Sequence, residues 1–290
     1  MSEQTATVLD RILAQTRAEV ERRKREQPLP AAARAASHHA PRGEHRFRAA
    51  LSGDGIGVIA EFKRRSPSAG SLHERPDLAG ILNAYERGGA LAASILTEGP
   101  NFAGSLEDLR AAREACTLPL LRKDFIVDPY QLHEALAAGA DAVLLIVAAL
   151  AQDQLASLYT AAGELGLDVL VEVHDRDELQ RALALEPQIV GINNRDLRDF
   201  SVQIARTEAL IDAIPPSVAV VSESGIAGAE QVSRLRARGV RAVLVGESLM
   251  RSRDPAGAIG ALLAPRAASG AAPGRGSQGA RPGDAGAPPE

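Results

Sequence analysis

From Val58 to Pro265 the chain repeats one unit: a short apolar or β-branched run, a loop, then a stretch patterned as a helix. The strand-like runs are VIAEF, LAASIL, PLLRK, DAVLLI, DVLVE, IVGIN, SVAVVS and RAVLVG, eight in all. Between them stand LAGILNAYERGG, SLEDLRAAREA, YQLHEALAAG, AQDQLASLYTAAGELG, DRDELQRALAL, RTEALIDAI and GAEQVSRLRARG, and PAGAIGALL closes the series. Several of these helical stretches end in Gly, a common stop signal. Strands that are apolar on both faces and alternate with helices imply a parallel sheet covered by helices. Eight such units imply closure into a (β/α)8 TIM barrel, an α/β fold. An open doubly wound sheet is the rival, but it normally uses fewer strands and carries a Gly-rich dinucleotide turn after the first, which is missing here.

The flanks differ from the repeat. TATVLDRILAQTRAEVERRKRE places Val8, Ile12, Leu13 and Val20 on one helical stripe. A loop rich in Ala, Pro and His follows, and HRFRAAL reads as another short helix. Residues 1–57 are thus expected to be a helical extension of one barrel domain ending at residue 265. Residues 266–290, RAASGAAPGRGSQGARPGDAGAPPE, are low in complexity and unable to bury a core, so disorder is expected there.

Composition narrows the function classes. Aromatic residues are only 3% of the chain and Trp is absent, so Ala, Leu, Val and Ile must build the core. A formal charge of −4 offers no basic field for nucleic acid or an anionic membrane. Cys116, the single cysteine, cannot form an internal disulfide and reads as a buried, inert thiol in a reducing compartment. MSEQTATVLDRILAQ lacks the apolar core of a signal peptide, and AVLLIVAALA is too short to span a bilayer. The expectation is a cytoplasmic protein. His38, His39 and His45 have no Cys or carboxylate ligand set beside them, and no metal is expected there.

Charge interrupts the strands where a barrel of this kind keeps its active site, at their C-terminal ends. VIAEFKRRS places Glu61 and Lys63 two apart, hence on one face, with Arg64 or Arg65 in the loop. PLLRK ends in Lys123, DVLVE in Glu172, IVGINNR in Asn193 and Arg195, and SVAVVSES in Glu223 and Ser224. Alternation groups Lys123 with Leu121 and Asn193 with Arg195. One inward set is therefore Lys63, Lys123 and Arg195 against Glu61, Glu172 and Glu223. Buried charges cost several kcal/mol each unless paired, and adjacent Lys and Glu side chains tune one another for proton transfer. The set reads as an enzyme site. His174, two residues beyond Glu172, is more simply a hydrogen-bonded imidazole than a metal ligand or base. Phe102 and Phe125 follow strand ends and either wall an aromatic ligand or fill core.

The last two strands end in SESGIAG and VGESLMR, each a Gly-containing turn before a helix, where backbone N–H groups bind anions. Loops after strands 7 and 8 recurrently hold phosphate in these barrels. Ser224, Gly225, Gly246 and Ser248 are the candidate binders, with Lys63 and Ser66 closing the site from the first loop. The residues alone thus imply a phosphorylated small molecule and Lys/Glu acid–base chemistry, with no demand for a metal or dinucleotide.

The strings EFKRRSPSAG, LTEGPNFAGSLEDLR, LLRKDFIVDPYQL, AVLLIVAAL, VEVHD, GINNRDL, VSESGI and VLVGESLM, in this order, closely resemble the indole-3-glycerol phosphate synthases of tryptophan biosynthesis. The resemblance covers about residues 5–263. It implies conversion of 1-(2-carboxyphenylamino)-1-deoxyribulose 5-phosphate to indole-3-glycerol phosphate, CO2 and water without a cofactor. By the same resemblance, Lys123 is the general acid at the substrate carbonyl and Glu172 the acid–base residue of the dehydration. Lys63 pairs with the substrate carboxylate, and Glu61 and Asn193 hold the charged network. Arg195 and Glu223 belong to the same polar shell, Phe102 and Phe125 to the aromatic pocket, and Ser66, Ser224, Gly225, Gly246 and Ser248 to the phosphate loops. The expected protein is a monomer or weak oligomer that binds a phosphorylated small molecule and neither nucleic acid nor membrane, with contacts to other enzymes of the pathway left open. Ala69 departs from the lysine of many relatives. Two rivals remain: a Schiff-base aldolase using Lys123 as nucleophile, and a non-catalytic phosphate-binding barrel.

Overall fold

The computed structural model describes residues 7–37, 45–67, 70–73, 76–196 and 201–264. The eight apolar runs form β1 (Gly57–Phe62), β2 (Ala92–Leu96), β3 (Leu120–Lys123), β4 (Ala142–Ile146), β5 (Asp168–Val173), β6 (Ile189–Asn193), β7 (Ala219–Glu223) and β8 (Ala242–Val245). Each pairs in parallel with the next, and β8 returns to β1, closing the barrel. The expected architecture is the one observed. The connecting helices are α4 (Leu78–Arg87), α5 (Leu106–Ala115), α6 (Pro129–Ala137), α7 (Gln152–Glu164), α8 (Arg176–Leu183), α9 (Ala205–Leu210) and α10 (Ala229–Ala237). A short α11 (Glu247–Arg251) and a last α12 (Pro255–Leu263) follow β8. Asp77, Ser105, Asp128 and Asp175 cap α4, α5, α6 and α8 with side-chain oxygens, each satisfying a first-turn N–H. None of the described helices is long and apolar enough to cross a membrane.

Register assigns the faces. Ile59 lies opposite Leu244 and Ala92, and Glu61 opposite Ser94. Leu121, Leu170 and Val221 stand one inward step below Lys123, Glu172 and Glu223. The barrel is therefore filled by apolar side chains below and by charged ones at its C-terminal mouth. Room for the upper layer comes from two glycines. A Cβ at Gly191 would overlap Glu223 Oε1, and one at Gly246 would overlap Glu61 Oε1.

The N-terminal extension comprises α1 (Val8–Glu26), α2 (Leu29–Ser37) and α3 (Arg46–Ala50). A reciprocal Thr7–Asp10 capping box starts α1. Leu9, Ile12 and Leu13 join the main core, while Val20 packs with Ala32 and Tyr130. The segment expected to be a loop after α1 is a helix over Leu29–Ser37, a correction with a clear cause. Its alanines favour helix, and Ala32 and Ala36 are buried, the helix lying against α6. Short α3 sits at the opposite end of the barrel from the charged mouth. Arg46 reaches Asp141 at 3.0 Å, and Asp168 takes His45 Nδ1 at 2.8 Å and the Arg48 N–H at 2.9 Å. His38, His39, Ala69 and the tail from residue 265 onward lie outside the described residues. Cys116 is buried, and burial pushes its thiol up from the usual range.

Arg122, neighbour of Lys123, points outward by alternation into the layer between β3 and α6 and is 1% exposed. Its guanidinium reaches Thr97 Oγ1 at 3.1 Å, Asp124 Oδ2 at 2.8 Å, the Gln131 carbonyl at 2.7 Å and Glu134 Oε2 at 3.4 Å. Removing one partner of a buried charge network leaves the others uncompensated. Arg122→Met is expected to lower the free energy of unfolding by about 3–5 kcal/mol, read from the midpoint of denaturant unfolding; a loss below about 1 kcal/mol would contradict the network's weight.

Candidate active site

The strand ends open into a cavity of about 470 Å³. Leu96, Leu144, Ile146, Leu244 and Val245 give it apolar walls, and Glu61, Lys63, Lys123, Glu172, Asn193, Arg195 and Glu223 give it charge and polarity. Ser66, Ser224 and Gly225 line it from the loops after β1 and β7, and Gly246 and Ser248 from the start of α11 after β8, strands that are adjacent around the barrel. Phe102 and Phe125 line it from the loops after β2 and β3. All fourteen candidate residues thus converge on one cavity, although they come from positions 61 to 248 of the chain.

The charged groups are tightly arranged. Lys123 Nζ is 2.9 Å from Glu172 Oε2 and 3.3 Å from Glu223 Oε2. Glu172 Oε1 accepts a hydrogen bond from Asn193 Nδ2 at 3.1 Å, and Asn193 Oδ1 accepts one from the Arg195 N–H at 3.0 Å. Lys63 Nζ donates to Glu61 Oε1 at 2.5 Å. Burial disfavours the Lys123 ammonium, but Glu172, Glu223 and Glu61 outweigh it and hold that proton above the ordinary lysine range. Glu172 is held below the carboxylate range, since Lys123 and His174 overcome the penalty of burial. Glu223 moves the other way, up to about 7, because burial and the nearby Glu172 and Glu61 exceed what Lys123 returns. One ammonium shared by two buried carboxylates leaves one of them able to keep a proton.

The surrounding loops are fixed by side chains that sequence reasoning passed over. Glu98 lines the cavity and accepts the N–H groups of Asn101 and Phe102 at 2.8 and 2.9 Å, seating the Phe102 loop. Asn194, fully buried, donates to the Glu223 and Ser224 carbonyls at 2.9 and 3.1 Å and accepts from Thr207 Oγ1 at 2.8 Å. It fixes the turn after β7, where Ser224 and Gly225 adopt φ of 64° and 76°. Arg64 pairs with Asp108 on α5 and stands 5.4 Å over the Phe62 ring, while Arg65 donates to the Asn101 carbonyl at 3.1 Å. The two arginines of EFKRRS therefore tie the first loop to the second. Local signals existed, a carboxylate in TEGPNF and a doublet in INNR, but their partners are backbone groups, those of Glu98 within its own loop and those of Asn194 at the end of β7 and just beyond it.

His174 hydrogen-bonds Glu178, as the simpler reading expected, and does not line the cavity. His73 is exposed and His133 lies partly buried on α6. Among the described residues no group of three or more His, Cys, Asp or Glu side chains is placed to hold a metal ion.

A closed parallel barrel that gathers paired lysine and glutamate side chains at its C-terminal mouth, with Gly-containing turns after β7 and β8, has the layout of a TIM-barrel enzyme. The family model described as indole-3-glycerol phosphate synthase matches residues 9–262, and the chain belongs to that family. The indole-3-glycerol phosphate synthase of Leptothrix cholodnii is 50% identical over 221 residues, 76% of this chain and 84% of that protein. That of Azospirillum brasilense is 46% identical over 259 residues, 89% of this chain and 99% of that protein. Among solved structures, 3-hexulose-6-phosphate synthase from Salmonella typhimurium aligns with a TM-score of 0.58 at 15% identity, over 71% of this chain and 96% of that one, a likeness of fold.

The state of Glu223 has a measurable consequence. Folded, it keeps its proton to about pH 7, whereas its ordinary value is 4.5. Its contribution is thus fully stabilising below about pH 4.5 and is lost as pH rises to 7, by roughly 3 kcal/mol. Glu223→Gln is expected to gain stability relative to the native chain across that window and to run parallel above it. Denaturant unfolding of both proteins at several pH values reads the difference, and a constant gap would contradict the assignment.

Proposed function

We propose that this chain carries out the indole-3-glycerol phosphate synthase reaction, closing the ring of 1-(2-carboxyphenylamino)-1-deoxyribulose 5-phosphate with loss of CO2 and water. The observation that carries this reading is the Lys123 ammonium held between Glu172 and Glu223 inside a cavity edged by Gly-containing turns. Attack of the aromatic ring carbon on the substrate carbonyl forms a carbon–carbon bond and places negative charge on that oxygen. Lys123, which keeps its proton firmly in the free enzyme, supplies it as the charge develops. Loss of CO2 then breaks the bond to the ring carboxylate and restores aromaticity. Lys63 is the cation for that carboxylate, with Glu61 holding its ammonium in place. Dehydration follows: ionised Glu172 removes a proton, and a neighbouring acid protonates the departing hydroxyl.

The remaining assignments follow from position. Phe102 and Phe125 wall the aromatic ring, Asn193, Arg195 and Glu223 orient the intermediate, and Ser66, Ser224, Gly225, Gly246 and Ser248 take the phosphate. A Schiff-base role for Lys123 requires the neutral amine, which two adjacent carboxylates disfavour. We read residues 1–265 as one domain with 266–290 outside it, working in the cytoplasm as a monomer or weak oligomer, with other pathway enzymes as its possible contacts.

The reaction is tested by mixing the protein with the substrate in chelator-treated buffer and following indole fluorescence, for which a chain without Trp gives little background. A rise is expected; none from folded protein would refute the reading. Lys123→Met and Glu172→Gln are expected to lower kcat by about 100-fold or more while still binding substrate, and a near-native rate for either would remove its role. Deleting residues 266–290 is expected to leave Tm and kcat unchanged, and a clear fall in either would place the tail in the domain.

A further inference from the structure

One buried titratable side chain beside the cavity has no part in the chemistry above. His174 is 7% exposed and stands two residues beyond Glu172. Glu178, in the first turn of α8, accepts both the His174 backbone N–H at 2.8 Å and ring Nδ1 at 2.9 Å. The imidazole is therefore fixed in place by a carboxylate on one side. Its other nitrogen, Nε2, is buried without a hydrogen-bond partner and lies 3.4 Å from Glu172 Oε1. An uncompensated buried polar atom is costly, and a cationic ring edge facing a carboxylate offsets that cost. Burial opposes the charge on His174, but Glu178 and then Glu172 overcome it and raise its affinity for a proton.

We propose that the Glu178–His174 pair is a positioning device for Glu172, its imidazole edge holding Oε1 beside Asn193 so that Oε2 stays on Lys123. The proposal rests on the reading of Glu172 as the acid–base group. Glu172 and Glu223 both touch Lys123, so the lysine alone does not decide which carboxylate keeps a proton. The groups facing Glu172 are Lys123 from β3, Asn193 from β6, Glu223 from β7 and His174 just beyond the end of β5, while β4 presents Leu144 and Ile146. Of these, the cation behind Glu172 is His174. It breaks the near-symmetry, leaving Glu172 ionised as a base and Glu223 as the protonated partner.

The test is the pH dependence of single-turnover indole formation in His174→Phe, His174→Gln and Glu178→Gln, with KM measured alongside. Loss of the cation raises the proton affinity of Glu172, so the acid limb is expected to move to higher pH by about one unit in all three. His174→Phe is expected to slow turnover about tenfold with KM changed less than twofold, and His174→Gln, which keeps a donor, to recover part of that rate. In the Glu172→Gln background, His174→Gln is expected to change the rate less than about twofold. An unmoved acid limb, or a His174→Gln effect of equal size in both backgrounds, overturns the positioning role. Glu178→Gln leaves β5 intact and reports even where substitutions of His174 prevent folding. Glu172→Gln with near-native turnover sinks the reading of Glu172 itself, an outcome distinct from failure of the positioning role alone.

Discussion

The Lys123 ammonium, 14% exposed and set between Glu172 and Glu223, is the constraint to which the upper half of the barrel answers. A charge withdrawn from water costs several kcal/mol unless paired and hydrogen-bonded. Closure of the sheet makes the pairing possible. Glu61, Lys123, Glu172 and Glu223 come from β1, β3, β5 and β7, and alternate strands of a closed barrel contribute to one interior layer. An open sheet would spread the same residues along an edge. The glycines at 191 and 246 keep side chains of intervening strands out of that layer, and Asn193 satisfies the carboxylate oxygen that Lys123 does not reach.

The layer is not electrically comfortable, and the proposed chemistry draws on that. Three carboxylates surround one deeply set lysine, with Lys63 engaged by Glu61. Replacing them by apolar residues would make a simpler core, as the positions one step below illustrate with Leu121, Leu170 and Val221. What the charged layer provides is separation of roles: Lys123 holds its proton more firmly than free lysine, Glu172 less firmly than a free carboxyl, and Glu223 keeps one to about neutrality. Groups driven apart in this way serve as acid and base at one pH.

The parts legible in the sequence were those written in local pattern. Apolar runs ending in charge identified the strands, and period-two alternation separated inward Lys123 from outward Arg122. The α2 helix was not legible, because LPAAARAAS carries turn and loop residues around it and acquires its packing only against α6. Glu98 and Asn194 were missed for a related reason: each acts on backbone groups, those of Asn194 some thirty residues away in sequence. Counting signs in the sequence gave three cations against three anions. Geometry distributes them unevenly, and the proton on Glu223 follows from that distribution.

The scaffold and the site also separate in comparison with other barrels. A barrel at 15% identity superposes with a TM-score of 0.58, so this architecture is reached by chains that share few residues. Apolar periodicity and parallel pairing suffice to close it. The charged side chains of this chain's cavity lie in the last inward position of a few strands and in the turns just beyond. Arg122 illustrates the boundary: one residue from Lys123, it faces outward and serves the packing of β3 on α6, whereas Lys123 faces the cavity. A single pleat thus divides a residue that packs strand on helix from one that faces the cavity.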